Sequence, residues 1–127
     1  MKAILDTEAF LHWITDADKL SEKAYLIIED SENELFLSAA SAMEVSHKIK
    51  MRHIILNNPL AFITEQMNLN MIKPLPIDVS HALYVAKLPN FHQDPYDRVL
   101  VSQAILESLP IISSDTKLEP YGVKLIW

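Results

Sequence analysis

The stretch Ala3-Ile4-Leu5-Asp6-Thr7-Glu8-Ala9-Phe10 decides how this chain is read. Ala3-Ile4-Leu5 is a short, uninterrupted apolar run, the pattern of a buried strand. The period then changes at once. From Thr7 to Ile14 the apolar residues Phe10, Leu11 and Ile14 fall at helical spacing. A buried strand that passes directly into a helix is half of a βα unit. The acid at that junction, Asp6, therefore stands at the strand's C-terminal end.

The same alternation continues along the chain. Ser21 begins a second helix with Ala24, Ile27 and Ile28 on its apolar side, and Leu35-Phe36-Leu37 is a second buried strand. Ala39 to Lys50 is helical, with Ala42, Val45 and Ile49 together on one side. Pro59 opens a helix to about Asn68, as a first-turn proline does. Met71-Ile72 reads as a weak strand ended by the Pro74-Leu75-Pro76 turn, and Asp78 caps a helix carrying Ala82, Leu83 and Ala86. Pro89 and Asn90 break the chain, and Pro95 opens a helix to about Ser108. Ile111-Ile112 is a strand, Thr116 to Glu119 a helical turn, and Val123 to Ile126 a last strand. With one glycine, Gly122, and no Asn-Gly or Asp-Gly hairpin signal, the chain predicts βα units around a parallel sheet.

That topology has a chemical consequence. Right-handed crossovers bring the C-terminal ends of all strands to one edge, where open α/β sheets bind ligands at a switch in strand order. Asp6 follows the first strand directly, and Asp115 follows Ile111-Ile112 within three residues. Two acids from distant segments are thereby expected as neighbours. Each also has a structural reading. Asp6 and Asp115 can cap the helices that follow. Asp94-Pro95-Tyr96-Asp97 is a good helix start, and Ser41 to Glu44 fits a capping box.

Composition bounds the alternatives. The 127 residues fit one domain, 1–127, and half are hydrophobic, enough for a packed core. No cysteine is present, which excludes disulfides and thiolate metal sites. The first residues read as neither a signal peptide nor a membrane span, so a cytoplasmic protein without a membrane partner is the expectation. The net charge of −6 argues against a broad basic face for duplex nucleic acid.

Four segments carry a resemblance. The opening LDTEAFLHW with Asp6, SAASAMEVSHKIK with Glu44, HQDPYDRVLVSQA with Asp94 and Asp97, and ISSDTKLEPYGVKLIW with Asp115 resemble, in order, the four motifs of PIN domains of the bacterial toxin type. The resemblance covers the whole chain. It implies a three-layer α/β/α fold with a central parallel sheet of four or five strands. It also implies a Mg²⁺- or Mn²⁺-dependent endoribonuclease, with Asp6, Glu44, Asp97 and Asp115 at the metal and Asp94 as an accessory carboxylate. Its partners would be RNA, a cognate antitoxin and a second copy of the chain. A PIN nuclease of RNA processing and an inactive PIN scaffold are the competing readings. Where the family often has threonine two residues before its last acid, this chain has Ser113.

The chemistry is consistent with that expectation, because hard divalent cations take oxygen ligands and can activate water against a phosphodiester. A phosphohydrolase with Asp6 as covalent nucleophile is disfavoured, since Asp6-Thr7-Glu8 lacks a second aspartate two residues on. Ser113, Arg98 and Lys48 are the substrate-contact candidates, and His92 lies beside the third motif. His12, His47, His53, His81 and His92 show no zinc spacing, and His81 reads as a helix-surface residue. Lys48, Lys50, Arg52 and His53 form the densest basic stretch, either a solvated helix end or a phosphate contact. Trp13 and Trp127 are expected to bury their rings in the fold or an interface.

Overall fold

The computed structural model describes residues Met1–Trp127. The chain runs β1 (Lys2–Leu5), α1 (Thr7–Thr15), α2 (Glu22–Glu29), β2 (Glu34–Ser38), α3 (Ala39–Lys50), α4 (Pro59–Leu69), β3 (Lys73–Leu75), α5 (Val79–Tyr84), α6 (Pro95–Glu107), β4 (Ile111–Ile112) and β5 (Leu125–Ile126). Short 3₁₀ turns follow α1, α5 and β4. The five strands form one parallel sheet in the order β3-β2-β1-β4-β5.

Strand alternation divides the core. Ala3 and Leu5 of β1 join Leu35, Leu37, Phe10, Ala24 and Ile28 on one face. Ile4 points the other way, toward Leu100, Val101 and Ala104 of α6. Successive side chains of a strand face opposite sides, so β1 is buried twice and the sheet has helices on both faces. The order of strands reverses at β1. The chain moves from β1 outward to β2 and β3, then returns to place β4 on β1's other side. That makes the β1–β4 boundary the switch point.

Local signals explain most boundaries. Ser21 caps α2 through the Ala24 N–H at 3.0 Å, and Pro59 and Pro95 occupy first-turn positions of α4 and α6. The α3 helix starts at Ala39 because Ser38 caps it, accepting from the Ala40 N–H at 3.0 Å. Ser41 is therefore inside the helix and buried, and the expected Ser41–Glu44 capping box does not form.

Two other readings are corrected. Met71-Ile72 is not a strand. Met71 adopts a left-handed φ of 53°, its N–H bonds to the Asn68 carbonyl, and the Ile72 N–H reaches back to Met67 at 2.8 Å. This is a Schellman end to α4, with Ile72 buried as its apolar anchor. The strand follows at Lys73–Leu75, where Pro74 is tolerated because β3 is an edge. Ala82 and Leu83 of α5, and Ala86 in the 3₁₀ turn after it, face solvent, and His81, expected at the surface, is buried. His81 Nδ1 accepts the Asp78 N–H and Nε2 bonds Glu107 of α6, both at 2.9 Å. With both ring nitrogens satisfied, the imidazole packs inward at little cost. The last strand is also shorter than expected, at Leu125–Ile126.

The Schellman pattern recurs without glycine. Arg52 after α3 and Ser108 after α6 have φ of 57° and 54°, and the residues following them bond back to Lys48 and Ala104. A left-handed L-residue costs roughly 1–2 kcal/mol. Ser108 is exposed, so Ser108→Gly is expected to raise unfolding free energy by about 0.5–1 kcal/mol, after glycine's greater unfolded-state entropy is subtracted. Urea denaturation of both proteins checks this; an unchanged or lower midpoint contradicts it.

Candidate metal centre

Three acids of the site, Asp6, Asp94 and Asp115, are each fixed by the backbone of the element they begin. Asp6 ends β1 and caps α1, where its Oδ1 accepts the Ala9 N–H at 2.7 Å. Its own N–H bonds the Ile112 carbonyl of β4, which ties the acid to the switch point. Asp94 caps α6, accepting from the N–H groups of Tyr96 and Asp97 at 2.9 and 3.2 Å. Asp97 then projects from the first turn of α6. Asp115 caps the 3₁₀ turn after β4 through the Lys117 N–H at 3.0 Å. Glu44 comes from α3, which packs against both α1 and α6. The capping and clustering readings thus hold together for Asp6, Asp94 and Asp115.

These acids meet. Asp6, Glu44, Asp94, Asp97 and Asp115 line one cleft of about 390 Å³ with no hydrophobic residue in its wall. Their proximity registers in proton affinity. Burial, followed by the negative charges of Asp94, Glu44, Asp115 and Asp6, pushes the Asp97 carboxyl up to about 7. Burial also raises Asp6 to about 6, opposed by hydrogen bonds from Ser113 and the Ala9 N–H. Carboxylates this close repel unless a proton or cation sits among them. The donor set is entirely oxygen, which fits a hard divalent cation such as Mg²⁺ or Mn²⁺.

The other sequence candidates separate. Lys48 lines the cleft. Ser113 is buried and does not line it; its hydroxyl accepts the Asp115 N–H at 3.0 Å and hydrogen-bonds Asp6, so it positions two acids. Arg98 also stays outside the wall. Its guanidinium donates to the carbonyls of Pro89, Val85 and Leu88 at 2.9, 3.2 and 3.4 Å, which clamps the segment before α6 instead of pairing with Asp94. His92 Nε2 lies 4.0 Å from Asp97 Oδ2, behind the acid. Trp13 is partly buried, donating to Asn70 Oδ1 at 2.9 Å, and Trp127 packs on the core. Glu8 and Lys117, which sequence reasoning did not assign to the site, also line the cleft. Each follows a site acid by two residues, and that adjacency was the available signal.

A second donor group, Asp78, His81 and Glu107, lies between α5 and α6, with ligand atoms within 4.8 Å of one another. Both His81 nitrogens are already engaged, so it serves as a helix tie. Glu107 stands ten residues beyond Asp97 on α6, roughly 15 Å along the axis at 1.5 Å per residue, so the two groups are separate.

The raised carboxyls set a pH dependence. Unfolded, Asp6 and Asp97 ionise near 3.8; folded, they hold protons to about 6 and 7. The folded state binds more protons in between, so their contribution is full below the unfolded value and is lost as pH rises through the folded ones. In EDTA, the protein is expected to lose roughly 1–2 kcal/mol of stability from this source between about pH 4 and 7, a figure discounted for solvent screening. Asp97→Asn should flatten that fall. Denaturant titrations across pH test it, and an equally steep fall in the variant would remove the crowding argument.

Solved structures of other proteins share this fold. The chain aligns with VapBC2 from Rickettsia felis bound to a DNA fragment from its promoter at TM-score 0.70 and 13% identity, covering 99% of this chain and 98% of the other. It aligns with FitAcB from Neisseria gonorrhoeae at TM-score 0.69 and 21% identity, over 100% and 97% of the chains. A toxin–antitoxin complex from Klebsiella pneumoniae aligns at TM-score 0.65 and 19% identity, over 98% and 96%. No curated protein sequence matches. No helix is long and apolar enough to cross a membrane. Residues 3–124 match the PIN domain model, nearly the whole chain, and the protein belongs to the PIN domain family.

Proposed function

We propose that this protein is a metal-dependent endoribonuclease and the toxin of a toxin–antitoxin pair. The observation that carries the reading is the convergence of Asp6, Glu44, Asp94, Asp97 and Asp115, from separate segments, in one wholly polar cleft at the sheet's switch point. Asp6 and Asp97 would hold Mg²⁺ or Mn²⁺ directly or through one water, Glu44 and Asp115 would complete the site through coordinated waters, and Asp94 would assist. When bound, such an ion supplies an activated water and offsets charge on the leaving oxygen. PIN domains are generally nucleases, and no cysteine is present to serve as a nucleophile.

The chain's own groups prepare the site. Asp6 is aimed by Ala9 and Ser113, and Asp115 by Ser113 and Lys117. Burial and the neighbouring acids raise the Asp97 carboxyl to about 7, and a cation held there would favour its ionised form. Lys48 and Lys117 place positive charge at the rim, where an RNA phosphate enters.

The solved complexes of this fold named as toxin–antitoxin assemblies support an antitoxin partner. An apolar groove lined by Phe10, Leu37, Val45, Ile49, Leu60 and Ile63 lies beside α3, and Leu60 is highly exposed there. An antitoxin segment docked in it would carry an Arg or Lys toward the acids, replacing the cation's charge. The active protein would be a homodimer.

Partner-free protein is expected to cut single-stranded RNA with Mg²⁺ or Mn²⁺ and to stop in EDTA. Asp97→Asn should stay folded and lower kcat by about a hundredfold or more. Undiminished cleavage in EDTA, or wild-type rates in the variant, rejects the metal mechanism. Antitoxin binding should block cleavage, and a complex that leaves the cleft open and the activity intact rejects the inhibition.

A further inference from the structure

We propose that a second cleft beside the acidic one, walled by His12, Lys48 and His53, holds an RNA backbone phosphate adjoining the scissile one. The proposal rests on the ribonuclease reading above. This second cleft measures about 200 Å³ and also includes Leu11, Thr15 and Ile54. Glu8 and Lys48 belong to both walls, so the two clefts are continuous.

The local fold assembles its donors. Arg52, in its left-handed conformation, closes α3 and turns the chain so that the His53 N–H bonds the Lys48 carbonyl at 2.8 Å. His53 is thereby brought back beside Lys48. The N–H groups of Arg52 and Met51 cover the carbonyls of Ile49 and His47. The end of α3 thus presents few bare carbonyls to an anion. From α1, His12 contributes an imidazole whose Nδ1 is buried without a hydrogen-bond partner. A sealed N–H with no acceptor is the costlier arrangement, so the proton belongs on Nε2, which makes His12 a donor.

Charge favours an anion. Lys48, Lys50 and Arg52 form no ion pair, whereas Lys2 and Lys73 are paired with Glu34 and Arg98 is turned onto carbonyls. The one acid in the wall, Glu8, stands at the boundary with the metal cleft. A strand whose scissile phosphate sits among the five acids can lay a neighbouring phosphate over Lys48 without leaving the surface. Phosphate contacts of this kind fix register on the enzyme and carry no base preference.

The test is binding of a labelled five-nucleotide oligoribonucleotide, read by fluorescence anisotropy over a range of salt, with Ca²⁺ replacing Mg²⁺ to slow cleavage. Lys48→Gln and His53→Gln are compared with the wild type; His53 is exposed, so its replacement leaves the fold intact. Both variants are expected to bind about fivefold or more weakly, and Lys48→Gln should flatten the slope of log affinity against log salt by about 0.7. Wild-type affinity and slope in both variants, with RNA still bound and cut, overturn the subsite alone. Failure of the wild type to bind or cut RNA with any divalent ion overturns the ribonuclease reading as well. If a polyglutamate peptide binds as tightly and shows the same losses, the cleft docks an acidic protein segment and the RNA assignment is wrong.

Discussion

Carboxylates that repel one another must be held in one place before any cation arrives, and the rest of the structure is arranged around that constraint. The fold meets it by giving most of these acids a second, local task. Asp6, Asp94 and Asp115 each begin a helix or 3₁₀ turn and accept backbone N–H groups there. Bonds from unpaired N–H groups at a helix start stabilise an ionised carboxylate. Asp97 lacks such a bond and is the acid whose proton is held most strongly. Asp6 is raised as well, to about 6, although the Ala9 N–H and Ser113 oppose the shift, so the resistance to charging is strongest at Asp97 and Asp6.

Topology supplies the convergence that local bonding cannot. β1 and β4 are neighbours only because the chain finishes one half of the sheet before beginning the other. Asp6 and Asp115 meet for that reason, although more than a hundred residues separate them. Two buried polar ties align the remaining elements. Ser38, the residue that caps α3, donates to Gln103 of α6, and Gln103 in turn donates to the Pro76 carbonyl at 3.0 Å. This links the helix carrying Glu44 to the helix carrying Asp97. Inside the core, losing either partner would strand a buried polar atom, so the link is expensive to break.

Much of this was legible in the residues. The strand runs, Ser21, Pro59 and Pro95 mark elements by chemistry that acts locally, and βα topology sends Asp6 and Asp115 to one edge, whereas Glu44 and Asp97 were expected beside them only from the resemblance. The misreadings share a cause: they turn on partners distant in sequence or on backbone angles that no residue type signals. Met71-Ile72 has strand composition, but the left-handed turn ending α4 uses methionine where glycine would have announced it. His81 carries a polar label and is buried only because Glu107 and the Asp78 N–H await it. Arg98, a substrate-contact candidate in the sequence, donates to carbonyls of the segment before α6, contacts that no charge pattern announces. Ser113, read as a substrate contact, is buried beside the acids, where its hydroxyl accepts the Asp115 N–H.

A chain of net charge −6 whose cleft gathers its acids would repel a polyanion if charge were considered alone. The distribution of cations and the chemistry of the cleft together resolve this. Lys2 and Lys73 are paired far from the acids, while Lys48 and Lys117 stand at the cleft's rim, and Lys50 and Arg52 continue from it. Divalent charge taken up by the cleft would offset much of that repulsion. If the cleft serves the proposed ribonuclease, RNA and cation would favour each other: a phosphate oxygen would add a ligand for the ion, and the ion would reduce the repulsion that weakens RNA binding. Linkage makes the two effects equal in free energy. On this reading the acidity that argues against a nucleic-acid partner is what makes RNA binding depend on the catalytic ion, so that a strand is retained where it can be cut.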